Sequence, residues 1–420
     1  MASAVRQAAP PGVRVLEILG NAIVGGMETY ATRLVEWLSR ARFEVSAVCP
    51  FESVVTRRLR EAGAEVYVAP MAEEMPWSTI QLAATLVRSG GIDVLHAHLP
   101  NAHLLAALAG RLTGKPVLTT IHGRQLSPLD IELHRLAGSH VSVVCRDTWF
   151  QALAVGVAPQ HLSLIENGVD TAWFAPRAEE AEPSRVLRDR WNIASDTPLV
   201  GFVGRLSPEK GPDVFLRAAL VAHGRQPAAH FVLVGEGPMR AGLEEQAGRA
   251  GLSPFLHFAG ACSDMRSVYH DLDAVVSTSH SEAMPLVVME AMACGLPVIA
   301  TSVGGVVEMI EHERTGWVVR PGDYEGVGAR LHTLLSSAPL AREMGRSARE
   351  RVQERFGLAA SCDAMGRLLS RLASGRPEPR RASGGGNGFA RPTIVRESAA
   401  GSQTALSRLE PAAGTPAPES

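Results

Sequence analysis

Leu199-Val-Gly-Phe-Val203 runs directly into Gly204-Arg205-Leu-Ser-Pro-Glu-Lys210-Gly211, and Pro212 follows. Five residues without a charge, a loop with two glycines and two cations, and a proline suited to a first helical turn read as strand, loop and helix. The unit begins nearly halfway along the chain of 420 residues, after Asn167-Gly-Val-Asp170 and a charged stretch over residues 177–190. A fresh strand there opens a second domain. Downstream, strands continue at 231–234, 257–258, 274–277, 298–301 and 317–319. Upstream, a first series reads at 13–19, 44–49, 65–69, 93–96, 117–120 and 140–144, with helical periods such as 27–40, 77–88 and 102–112 between. Near-continuous apolar strands alternating with helices imply parallel sheets covered on both faces. The expected fold is α/β: two tandem doubly wound, Rossmann-like domains, residues 13–170 and 171–356, facing a cleft. Ligands then sit at the carboxyl ends of the strands. A leader over 1–12 is expected to be flexible. A tail over 374–420, rich in Gly, Pro, Ser, Ala and Arg, is expected to be disordered because it buries too little apolar surface.

A net charge of −2 excludes a strongly basic nucleic-acid binder and an acidic solvating chain. Five scattered cysteines with no Cys-x-x-Cys pair argue against a disulfide framework or zinc ribbon and for a reducing cytoplasm. No signal peptide and no span of about 20 apolar residues is visible, so a cytoplasmic protein is expected, with peripheral contact at the inner face of a membrane left open. Arg57-Arg58-Leu-Arg60 reads as a solvated helix face, with membrane attraction the lesser reading. All but two of the 41 basic residues are arginine; the lysines are Lys115 and Lys210.

Lys210 lies in the opening loop with Arg205. Cations at a helix N-terminus are unfavourable unless an anion joins them, and this pair suits a diphosphate. The residue order is not that of a Walker A loop. Gly25-Gly26 after the first strand, and Gly235-Glu-Gly237-Pro238 after another, permit close backbone approach to a ligand, although tight loops explain each pair as well. Pro238 and Pro285 each read as a helix start. The strongest signal is Glu282-Ala-Met-Pro-Leu-Val-Val-Met-Glu290. The Met284, Pro285 and Leu286 segment opens a helix whose amides suit phosphate oxygens, and two carboxylates eight residues apart can face one cleft. Two solvent-facing glutamates are the bland alternative, weakened by apolar surroundings. His96-Ala-His98 and His122 fall at strand ends. A zinc site from His96, His98, His103 and His122 lacks a carboxylate or cysteine cluster to complete it, so a hydrogen-bonding histidine in the cleft is preferred and no metal ligand set is assigned. Asp271-Leu-Asp273 reads as a helix end and strand start.

Together these segments, with Thr120-Ile-His122-Gly123, Glu166-Asn-Gly-Val-Asp170, Gly304-Gly305 and Thr315-Gly316-Trp317, resemble glycosyltransferase family 4, retaining enzymes of the glycosyltransferase-B fold, over about residues 13–372. The resemblance implies a second domain that binds a nucleotide-diphosphate sugar (a UDP- or GDP-sugar) and a first domain that presents a glycan or lipid-linked acceptor. No further cofactor and no nucleic-acid partner is implied. Arg205 and Lys210 would hold the diphosphate and Glu290 the ribose. Glu282 would orient the sugar, His122 would line its site, and Gly25 and Gly26 would pass beside the phosphates. A last helix, 357–373, would cross back onto the first domain. Ala283 departs from the family, where glycine is frequent. The pathway implied is bacterial surface polysaccharide or lipid-linked oligosaccharide synthesis. Stabilising the leaving diphosphate lowers the barrier directly. No second carboxylate is evident for a covalent double displacement, which favours same-face attack without a metal. A phosphorylase of this fold would need a Schiff-base lysine, for which Lys115, before Pro116 and a strand, has no setting. A nucleotide-sugar epimerase and a non-catalytic binding protein remain the alternatives.

Overall fold

Seven strands form the first sheet: β1 Arg14–Leu19, β2 Glu44–Cys49, β3 Glu65–Val68, β4 Val94–His98, β5 Val117–Ile121, β6 His140–Val143 and β7 Leu162–Leu164, in the order β3-β2-β1-β4-β5-β6-β7. Six form the second: β8 Leu199–Val203, β9 His230–Val234, β10 Leu256–Gly260, β11 Ala274–Ser277, β12 Val298–Thr301 and β13 Gly316–Val319, in the order β10-β9-β8-β11-β12-β13. Every pairing is parallel. This computed structural model describes residues 12–72, 74–178 and 184–375. Apart from Gly12, Ser374 and Gly375, the expected leader and tail lie outside the described residues.

The α/β fold with two doubly wound sheets is therefore present. β8 is apolar throughout, and β4 and β5 are buried at every position, because helices cover both faces of each sheet. Strand order reverses between β1 and β4 in the first sheet and between β8 and β11 in the second. A crevice opens at such switch points, at the carboxyl ends of the strands. In the second sheet the loop after β8 meets the loop after β11: Thr278 Oγ1 donates to Gly211 O at 2.8 Å, and His280 N donates to Glu209 O at 2.8 Å.

Two chain crossings join the domains side by side. Val169 N donates to Phe356 O at 2.9 Å and Leu358 N to Val169 O at 3.0 Å. Helix Leu358–Ala373 follows the second crossing and sinks Met365, Leu368 and Leu369 into the first domain's core beside Val15, Leu34 and Leu38. Burying such a leucine stabilises by about 1.5–3 kcal/mol. Asp271 and Asp273 are structural: Asp271 Oδ2 accepts from Leu187 N at 2.6 Å, and Asp273 Oδ2 accepts from Arg188 Nη2 at 2.9 Å and Leu199 N at 2.8 Å. Among the described residues, no helix is long and apolar enough to cross a membrane.

Candidate active site

Lys210 and Glu282 lie 72 positions apart but meet at the β8/β11 switch point. The Lys210 ammonium is ion-paired with Glu282 Oε1, and Ser279 Oγ donates to the same oxygen at 2.9 Å. The short helical turn Pro208–Lys210 and Gly211 aim the lysine across the adjacent strand. Arg205, exposed on the same loop, makes no hydrogen bond with a described residue through its guanidinium. One cation is thus committed and the other is open to an anion.

Helix Leu286–Ala293 begins one residue later than expected, with Pro285 as its N-cap. No side chain caps this end, so its amides stay available. Asn167 Nδ2, from the first chain crossing, donates to Met284 O at 2.9 Å and ties the crossing to this loop. Glu290 sits in the second turn, where Tyr269 Oη donates to its Oε2 at 2.8 Å. Burial pushes the Glu290 carboxyl up, and the Tyr269 hydrogen bond and the nearby Arg33 guanidinium oppose that shift. The two glutamates do not converge on one point: Glu282 faces Lys210, whereas Glu290 faces a cleft of about 870 Å³.

That cleft lies between the domains. Thr29, Tyr30 and Arg33 line it from helix Gly26–Arg40, and Leu286, Glu290 and the 262–265 loop line it from the other side. Tyr30 is the link to His122, since their rings meet edge to face at 5.1 Å. Gly25 is the N-cap of helix Gly26–Arg40, in extended backbone that any residue adopts. Glu28 folds back so that its Oε2 lies 2.8 Å from where a Gly25 Cβ would stand. An anion at this helix end would therefore meet a carboxylate already in place.

Gly235 and Gly237 answer to packing between loops. A Cβ on Gly237 would lie 2.3 Å from Leu206 O, and one on Gly235, whose φ is +142°, 2.0 Å from Gly204 O. They let the 235–237 loop press on the loop that carries Arg205. Pro238 does not begin a helix; a turn intervenes and helix Arg240–Arg249 starts two residues later.

The histidines part company. His103 joins Asp130 at 2.9 Å and Ser139 at 3.0 Å, away from the others. His98 Nδ1 lies 2.9 Å from His122 Nε2, and Glu17 of β1 stands between His96 and His98. The carboxylate that the sequence reading found missing is thus present. Sequence reasoning missed Glu17 and Tyr269. A lone charge inside the apolar run Val15-Leu-Glu-Ile18 was the signal for Glu17, because a buried carboxylate needs partners; Tyr269 offered no local signal.

Comparison with known proteins agrees with this fold. The profile for "Glycosyltransferase Family 4" matches residues 24–173, and that for "Glycosyl transferases group 1" matches residues 184–351. A D-inositol 3-phosphate glycosyltransferase of Saccharomonospora viridis is 30% identical over 335 residues, covering 76% of this chain and 74% of the relative. One from Salinispora arenicola is 28% identical over 374 residues, covering 79% and 84%. The crystal structure of Anabaena HepE in complex with UDP-glucose superimposes with a TM-score of 0.74 at 22% identity, over 86% of this chain and 99% of that one. With two parallel α/β domains in the glycosyltransferase-B arrangement and matches across both, the chain belongs to glycosyltransferase family 4.

Proposed function

We propose that the chain is a retaining glycosyltransferase that moves a hexosyl unit from a nucleotide-diphosphate sugar to a hydroxyl of a glycan or lipid-linked acceptor, without a divalent metal. The observation that carries the reading is the β8/β11 switch point, where Lys210 and Glu282 meet beside an uncapped helix that bears Glu290 one turn on. The second domain holds the donor and the first presents the acceptor. Arg205, Lys210 and the free amides of the first turn of helix Leu286–Ala293 take the diphosphate. On donor arrival Lys210 divides its hydrogen bonds between Glu282 and the phosphate, which makes Glu282 available to orient the sugar. Glu290, held by Tyr269, accepts from the ribose hydroxyls, and His122 lines the sugar pocket. As the glycosidic bond breaks, charge grows on the diphosphate, where these cations and dipoles act most strongly. A leaving phosphate oxygen takes the acceptor's proton, and attack occurs on the same face. Closure about residues 167–170 and 356–358 excludes water.

A lipid-linked acceptor at a membrane surface is supported by exposed Ile23, Val24, Phe51, Val54 and Trp77, which follow β1, β2 and β3 at their carboxyl ends, near Arg57. The similar D-inositol 3-phosphate glycosyltransferases make a phosphorylated cyclitol the first small acceptor to try. The test is to incubate the enzyme with each nucleotide sugar and membrane lipid extract in excess chelator, then read the product by mass spectrometry and its anomeric centre by NMR. Transfer with the donor's configuration supports the proposal. An inverted product, or transfer lost in chelator and restored by magnesium or manganese, contradicts it. Donor turnover with no acceptor would favour an epimerase.

A further inference from the structure

Glu17 stands in the middle of β1 with no exposed surface. A buried carboxylate needs a donor on each oxygen, and β4, the neighbouring strand, supplies both. His96 Nδ1 lies 3.0 Å from Oε1 and His98 Nε2 lies 2.9 Å from Oε2. The outer nitrogen of each ring is also engaged: His96 Nε2 with Thr120 Oγ1 at 2.8 Å, and His98 Nδ1 with His122 Nε2 at 2.9 Å. Burial pushes the Glu17 carboxyl up, but attraction and hydrogen bonding from His96 and His98 outweigh it and hold the group at about 2. Burial, reinforced by His96, lowers His98 to about 4, and burial, reinforced by His98 and then His96, drives His122 well below the ordinary histidine value.

With His98 and His122 neutral, the contacts set where their hydrogens sit. A neutral imidazole carries one N–H. His98 uses its N–H at Nε2, donating to Glu17, so its Nδ1 is bare and accepts. The donor across the 2.9 Å gap is therefore the Nε2–H of His122, and His122 Nδ1 carries no hydrogen. We propose that Glu17 is a positioning residue: through His98 it locks His122 in the tautomer with Nε2–H turned inward, leaving Nδ1 to accept a hydrogen bond from a donor-sugar hydroxyl. This rests on placing His122 at the sugar site.

A metal fits less well. Glu17, His96 and His98 offer ligand atoms within 4.8 Å of one another. Each ring nitrogen, however, sits 2.9–3.0 Å from its carboxylate oxygen, whereas two ligands of a tetrahedral zinc stand roughly 3.4 Å apart.

The test is long-range proton–nitrogen NMR of protein labelled with 15N-histidine, the His122 signals being identified by their loss in His122→Asn. In the wild type at neutral pH His122 should be protonated at Nε2 only; an Nδ1–H tautomer overturns the proposal whatever any variant does. Glu17→Leu removes the acceptor at similar volume. It should mix the His122 tautomers and lower kcat about ten-fold, with donor KM within about two-fold of wild type. His103→Asn, in the separate cluster with Asp130 and Ser139, should leave the His122 tautomer and kcat unchanged. A single unchanged tautomer in Glu17→Leu, or equal losses in both variants, overturns the wire. Mixed tautomers with full turnover overturn the placement of His122 at the sugar while leaving the wire intact. Zinc recovered near one equivalent from wild type would replace the wire with a metal site.

Discussion

Tyr269→Phe removes one oxygen and leaves the ring packed edge-on to Phe174, with centroids 5.9 Å apart. Lost with it is the 2.8 Å hydrogen bond to Glu290 Oε2. A hydrogen bond to a charged group contributes about 1.5–3 kcal/mol. Part of that falls on folding and part on donor binding, so we expect donor KM to rise about ten-fold, equivalent to about 1.4 kcal/mol. The change should also have a pH signature. The Glu290 carboxyl is already raised, by burial above all, and the Tyr269 hydrogen bond opposes that rise. Without it the carboxyl rises further. The ionised form accepts from the ribose, so donor KM falls as pH rises through the Glu290 titration, and in Tyr269→Phe that fall moves to higher pH. Ribose contacts act alike in ground and transition states, so kcat should change little. Steady-state kinetics with varied donor from mildly acidic to mildly alkaline pH measure this. A donor KM unchanged at every pH, or a kcat that falls as much as kcat/KM, refutes the reasoning.

Lys210→Arg keeps the charge but widens the cation beside Gly211, where a Cβ would already lie 2.3 Å from Thr278 O; it should cost roughly 1–3 kcal/mol in kcat/KM. Lys115→Arg, at a surface pair 3.6 Å from Asp93, should be nearly silent in the same assay. Gly237→Ala forces a methyl against the Leu206 backbone and should destabilise by about 1–3 kcal/mol while weakening donor binding, read by thermal melting and donor titration. Leu369→Ala should cost about 2–5 kcal/mol in denaturant unfolding because helix Leu358–Ala373 completes the first domain's core.

The strands were legible because a parallel strand covered on both faces is apolar at nearly every position, as in Leu199-Val-Gly-Phe-Val203. β7 escaped because Leu162–Leu164 is three residues with a serine at its centre. Lys210, Glu282 and Glu290 stood out because charges beside turn residues and apolar helices are costly without a purpose. Their pairing was not legible. The Lys210–Glu282 contact depends on β8 and β11 being neighbours, which strand order alone decides. The same holds for Glu17 with His96 and His98, joined by the β1–β4 pairing, and for Gly237, whose reason is the Leu206 backbone beside it.

The central claim is that Lys210 and Glu290 of the second domain hold a nucleoside diphosphate without a metal. Calorimetric titration of UDP and GDP in excess chelator, into wild type, Lys210→Ala and Glu290→Gln, tests it most directly. The account predicts one-to-one binding of one nucleotide to wild type, weakened about ten-fold or more in both variants. Binding that both variants retain at full strength, or that appears only when a divalent ion is added, would contradict it.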